Sequence, residues 1–229
     1  MSRAKTGKRG FLLPGYLLPF IMVTILFFMW GIPNNLNGVL IKQFMKSMEI
    51  SRFQAGLIQS AFYMGYFVLA VPAGILMRRY SYKTGIICGS MLYSLGCLLF
   101  WPAAINGKYG FFLFALFVIA SGLAFLETGA NPFIALMGNP ESSEQRLNFS
   151  QAFNPIGSVT GVLIGTIFIF SGIEPDKTQI AAMKISGEYG SFLQHETMRV
   201  IKPYIGLALF ALTWAIIRMR IKFPKFDTE

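Results

Sequence analysis

The chain has 229 residues, 54% hydrophobic and only 13% charged, with a formal net charge of +10. A soluble domain of this length holds about twice that charge and much shorter apolar runs. The Lys and Arg residues stand between apolar segments and form no contiguous basic face, which argues against nucleic acid as a partner. What remains is a polytopic membrane protein, because stretches long enough to cross a hydrocarbon core of about 30 Å recur along the chain.

Six segments are predicted as spanning helices. The first, 12–41, is too long for the apolar core of a cleavable signal peptide and is followed by further spans. It contains WGIPNNLNGVL (30–40), where Pro33 withdraws a backbone donor just before Asn34, Asn35 and Asn37. Successive Asn residues on a helix point to different faces, so at most two of them share one cavity. The second span, 54–77, carries Gln59 and Tyr63 one turn apart and Tyr66 one turn further. The third, 84–104, holds both cysteines, Cys88 and Cys97. That separation on one helix is roughly 13 Å along the axis, too far for a disulfide, so both are read as packing residues.

The fourth span, 110–137, contains GLAFLETGANPF (122–133), with Glu127 near its middle and Asn131 four residues on, along the same face. The fifth, 147–170, brings Gln151 and Asn154 together just before Pro155. Gly157, Gly161 and Gly165 then form a strip on which a neighbouring helix can approach closely, a spacing repeated by Gly85 and Gly89. The sixth span covers 204–221. Trp30, Trp101 and Tyr204, near predicted span ends, are expected to anchor the chain at the membrane interface.

The connections 77–83, 105–110 and 138–146 are short and polar. The longest, about 171–202, is polar enough to lie outside the membrane, on the extracytoplasmic side, with room for a short surface helix. Six spans put both termini on one side. That side collects twelve of the twenty basic residues: Arg3, Lys5, Lys8, Arg9, Arg78, Arg79, Lys83, Arg146, Arg218, Arg220, Lys222 and Lys225. Both termini are therefore predicted to be cytoplasmic, around a single six-helix membrane domain spanning residues 1–229.

Nine of the ten acidic residues fall in loops, tails or span edges, leaving Glu127 alone inside a span. An ionised carboxylate near the bilayer centre costs about 2.5–3.5 kcal/mol or more, so Glu127 should face the bundle interior or a watery cavity. With no Lys or Arg expected deep in a span to pair with it, its neutral form is favoured. Glu127 is thus expected to hold a proton when buried and to release it when wetted, which is the chemistry of proton coupling. The amides and phenols at comparable depth donate and accept several hydrogen bonds each, beside aromatic rings. They suit a neutral polyhydroxylated ligand and would suit an anion poorly. No nucleophile–base pair or phosphate loop points to an enzyme. Nothing calls for a cofactor, and His195, the single histidine, has no second metal ligand beside it.

At these residues the sequence resembles the N-terminal half of the fucose:proton symporter family, within the major facilitator superfamily. The blocks that carry the resemblance are NNLN (34–37), FQAGLIQSAFYMGYF (53–67), PAGILM (72–77), FWPAA (100–104), LETGANPF (126–133) and PESSEQRLNFSQAFN (140–154). The resemblance implies an all-α bundle of two inverted three-helix repeats, with sugar and proton sites near the midplane of a plasma (inner) membrane. It implies that Glu127 is the protonatable glutamate and that Asn35, Gln151 and Asn154 are polar positions of the sugar site. Asn131, Gln59 and Tyr63 join them on the residue-level argument above. Relatives take up L-fucose or, in neighbouring branches, glucose and galactose.

Two departures stand out. The family's first-span motif continues into an aspartate that takes part in proton coupling, where this chain has Gly38. The family also has twelve spans in two halves that close around the substrate, and six spans supply one. The expectation is half of a proton-coupled sugar transporter that pairs with a second copy or a separate C-terminal half. Its alternatives are a truncated remnant without transport, an uncoupled facilitator or a sugar-binding protein.

Overall fold

The computed structural model describes residues 10–221. The basic residues Arg3, Lys5, Lys8, Arg9, Lys222 and Lys225 used in the topology count lie outside the described residues. Six helical stretches are long and apolar enough to cross a membrane. Four are single helices: α1 (Leu17–Ser47), α2 (Arg52–Arg79), α3 (Tyr82–Asn106) and α4 (Tyr109–Leu136). The fifth, Pro140–Ile169, is built of a 3-10 turn, Pro140–Ser142, then α5 (Ser143–Gln151), α6 (Phe153–Ile164) and a π-helical turn, Gly165–Ile169. After it come α7 (Lys177–Ser186), then α8 (Tyr189–Met198) and α9 (Ile201–Arg220), which together make the sixth.

Local chemistry fixes the helix ends. Ser51 and Gln54 form a reciprocal capping box at the start of α2, and Ser81 accepts from the Thr84 N–H at the start of α3. Gly107, in the left-handed region at φ 60°, ends α3.

Helix α1 differs from the predicted first span at both ends. Residues 11–16 are not helical. A turn through Pro14 and Gly15, with φ 82° at the glycine, lays them against the end of α4, where the Leu13 N–H donates to the Met137 carbonyl at 3.0 Å. At the other end the helix continues past Lys42, because Gln43, Phe44 and Ser47 still bury one face. The predicted connection, about 171–202, holds two helices instead of one, the second of which opens the sixth spanning stretch. Exposed α7 has its own capping box, Asp176 with Gln179, and α8 packs against α1.

Packing pairs α1 with α6, α2 with α4, α3 with both α4 and α9. If the first three spans are related to the last three by a two-fold, the α1–α6 pairing exchanges with α2–α4 and the α3–α9 pairing maps onto itself. Those pairings are the ones two inverted three-helix repeats produce, whereas the extensive α3–α4 packing has no α1–α9 counterpart of similar extent. The glycine strip of the fifth span sits against α1: a Cβ at Gly157 or Gly161 would strike the carbonyls of Phe28 and Ile32. Helix–helix contact through small residues is what holds such a bundle where lipid removes the hydrophobic drive.

Several side chains lie elsewhere than the sequence suggested. Of the expected interface anchors only Trp101 is exposed; Trp30 is buried, and Tyr204 stacks on Phe100 with ring centroids 3.7 Å apart. Two arginines counted with the charges of the predicted cytoplasmic side, Arg146 in a linker and Arg218 at the end of the sixth span, are fully buried. Arg146 reaches back from α5 to the carbonyls of Ile134 and Ala135, closing the open end of α4. It also bonds the carbonyls of Phe11 and Asn139 and the Ser142 hydroxyl. Arg218 donates to the Met22 carbonyl of α1 and to Ser90 of α3, so it pins α9 in place. Glu196, read as a loop acid, is buried in α8 and pairs with Lys46 at 3.0 Å while Gln43 and Ser171 donate to it. Arg218 and Glu196 find their partners in segments distant in sequence, whereas Arg146 reaches mostly carbonyls 7–12 residues back that only the α4–α5 turn brings beside it, plus that of Phe11.

Candidate functional site

The polar groups are gathered by the geometry of the fifth span. Pro155 has no N–H to offer the carbonyl of Gln151, and its ring crowds that carbonyl. The helix breaks between Gln151 and Phe153, splitting α5 from α6. The break leaves Gln151 and Asn154 on the walls of a hollow of about 650 Å³. Helix α4 contributes Glu127 and Asn131 one turn apart, α2 contributes Tyr63 and Tyr66, and α1 contributes Phe27, Trp30 and Asn34. A second hollow of about 600 Å³ shares Tyr63, Tyr66, Glu127 and Asn131 with the first, so the two are continuous around the Glu127 carboxyl.

Within the cavity the Gln151 amide donates to the Asn131 side-chain oxygen at 3.5 Å, joining α5 to α4. The Asn154 amide donates to the Phe27 carbonyl at 3.4 Å, joining α6 to α1. Both bonds are long, so these amides retain capacity for a ligand. Glu127 is exposed to the cavity instead of packed between helices, and no described Lys or Arg forms an ion pair with it. Tyr63 is 65% exposed and Phe67, on the wall of the second hollow, 80%; the cavity therefore opens to one flank of the bundle.

Five of the seven side chains singled out from the sequence share this lining: Glu127, Asn131, Gln151, Asn154 and Tyr63. The other two, Asn35 and Gln59, stand outside it. Asn35 is exposed on another face of α1, one residue from Asn34, which does line the cavity. Gln59 accepts from the buried Asn37 amide at 3.2 Å, an α1–α2 link. Sequence reasoning missed Trp30 and Phe27, whose apolar surroundings gave no signal. It left Asn34 unresolved among three neighbouring amides. Gly38 lies one turn beyond Asn34, and a Cβ added there would meet nothing within 4 Å. Among the described residues no group of three or more His, Cys, Asp and Glu is placed to hold a metal.

A six-span helical bundle with a polar cavity between its helices defines the class: a multi-pass membrane protein. The match to the family described as Major Facilitator Superfamily covers residues 19–219, and the chain belongs to that family. It is 45% identical over 215 residues to the L-fucose-proton symporter of Escherichia coli (strain K12), covering 93% of this chain and 49% of that protein. It is 39% identical over 207 residues to the glucose/galactose transporter of Brucella abortus, covering 90% of this chain and 47% of the relative. It also superposes on the crystal structure of the Major Facilitator Superfamily transporter FucP in the outward conformation, with a TM-score of 0.77 and 44% identity. That superposition covers 92% of this chain and 51% of FucP. The chain spans about half the length of the relatives it matches.

Proposed function

We propose that the chain forms one half of a proton-coupled secondary transporter whose cavity binds a neutral hexose, L-fucose or a close relative, with Glu127 as proton carrier. One observation carries this reading. A single carboxyl stands in a cavity walled by three Asn side chains, a Gln, two Tyr and a Trp, with no Lys or Arg in its lining. Amides and phenols satisfy sugar hydroxyls, and Trp30 offers a flat ring to a sugar's apolar face. A lone carboxyl changes charge as the cavity wets and closes, which links proton and sugar movement. The relatives' names, an L-fucose-proton symporter and a glucose/galactose transporter, support the substrate class.

The open flank supports a second six-helix unit, either another copy or a separately encoded half, closing over the cavity. Tyr63 and Phe67 on α2 are exposed there. The excess of basic residues on one side supports cytoplasmic termini in an inner membrane. The experiment is sugar uptake driven by an imposed pH gradient, with the complementary half supplied, comparing wild type with Glu127→Gln. Loss of gradient-driven accumulation with retained sugar binding supports the reading, and unchanged accumulation removes Glu127 from it.

The open space at Gly38 favours a second reading, an uncoupled facilitator, because no carboxyl stands at that place to share the proton. Sugar equilibration that ignores the pH gradient in the wild type is its signature.

A further inference from the structure

On the flank where α6 and α9 lie over α1, a groove of about 320 Å³ shares no residue with the polar cavity. Its floor is Phe28 of α1. One wall is Ile164 and Phe168, one turn apart; the other is Gly206 and Phe210, also one turn apart. A single charged side chain, Lys202, stands at one end. Lys202 is exposed, and no described carboxylate lies within ion-pair distance of it. One turn earlier, Arg199 spends its guanidinium on the carbonyls of Ile169 and Phe170, which leaves Lys202, among the described residues of the groove lining, as the cation available to a ligand.

We propose that this groove holds an acyl chain of an anionic phospholipid, with the headgroup phosphate on Lys202. Aliphatic and aromatic walls with one cation at the end match a molecule that is apolar along its length and anionic at its head. A sugar would find no hydroxyl partners between these walls. The setting fits as well. Lys202 sits where the apolar run of α9 begins, the level at which a lysine extends its ammonium toward the headgroups. From Lys202 to Phe210 the wall runs about 12 Å along α9, long enough to seat much of a chain. Lipid offers no hydrophobic gain over other lipid, so the selectivity comes from the charge, worth on the order of five-fold for one lysine at a membrane surface.

The test uses the full chain, partly delipidated in mild detergent and titrated with palmitoyl-oleoyl phosphatidylglycerol or palmitoyl-oleoyl phosphatidylcholine, with bound lipid counted by native mass spectrometry. The wild type is expected to retain one lipid and to prefer phosphatidylglycerol about five-fold. Lys202→Gln should bind both lipids equally, whereas Lys108→Gln, which removes another exposed lysine, should keep the preference. Gly206→Leu fills the groove at a position where an added Cβ meets nothing, so the bundle still folds and the retained lipid is lost. Three results would each overturn the proposal: no preference in the wild type, a preference that survives Lys202→Gln, or full lipid retention by a folded Gly206→Leu.

Discussion

Replacing Arg146 by Lys keeps the charge and removes the fork. The guanidinium makes five hydrogen bonds, to the carbonyls of Phe11, Ile134, Ala135 and Asn139 and to the Ser142 hydroxyl, at 2.6–3.2 Å. A lysine ammonium has three donors on one nitrogen, so at least two acceptors lose their partner in a site with no exposure. Hydrogen bonds to a charged group contribute about 1.5–3 kcal/mol each, so Arg146→Lys should cost about 3–6 kcal/mol. For a chain of this size that lowers the unfolding midpoint by at least roughly 6 °C. The damage should also reach the site, because Arg146 ties the end of α4, which carries Glu127 and Asn131, to α5, which carries Gln151. The assay is thermal unfolding in detergent, with Trp30 fluorescence, read with Trp101 and Trp214 replaced by Phe, as a probe of the cavity. A midpoint within about 2 °C of wild type, with an unchanged Trp30 spectrum, would refute the reasoning.

Other consequences follow from the same packing. Lys46→Met strands the buried Glu196 carboxylate and should destabilise by about 3–5 kcal/mol, while adding Glu196→Gln should recover most of the loss; thermal unfolding of the single and double variants checks this. Gly161→Leu drives a side chain into the Ile32 carbonyl of α1, and folded, monodisperse protein should be lost on size-exclusion chromatography. Gly38→Asp enters open space and should match the wild-type yield. In the uptake assay it should increase the dependence on the pH gradient, since a second carboxyl is added one turn from Asn34.

Much of the bundle was legible because lipid imposes a strong rule on sequence: spans must be long, apolar and internally bonded. The rule also exposed the polar site, since Glu127, Asn131, Gln151 and Asn154 are conspicuous against apolar neighbours. Helix rotation was less legible. Asn34 and Asn35 sit about 100° apart on one helix, and only the packing of α1 against α6 decides which enters the cavity. Gln59 had the right depth, but Asn37 claims it. Buried charges near span ends escaped for a related reason. Arg146, Arg218 and Glu196 look like loop or span-end charges until the turn after α4 folds the Ile134 and Ala135 carbonyls onto Arg146, and Met22 and Lys46, each more than a hundred residues away in sequence, meet Arg218 and Glu196. The break at Gln151 was written in Pro155, whereas the start of α1 depended on Pro14, Gly15 and their contact with Met137.

The most direct test of the account is equilibrium binding of L-fucose to the purified chain, read through Trp30 in the cavity wall with Trp101 and Trp214 replaced by Phe. Saturable quenching by the neutral sugar is expected, with none from an anionic hexuronate and a loss of at least ten-fold in affinity for Gln151→Leu/Asn154→Leu, estimated as about 1.4 kcal/mol or more for two lost amide contacts. Equal binding of the hexuronate, or unchanged L-fucose binding in the double variant, would contradict a neutral-sugar site between α1, α2, α4 and the broken fifth span.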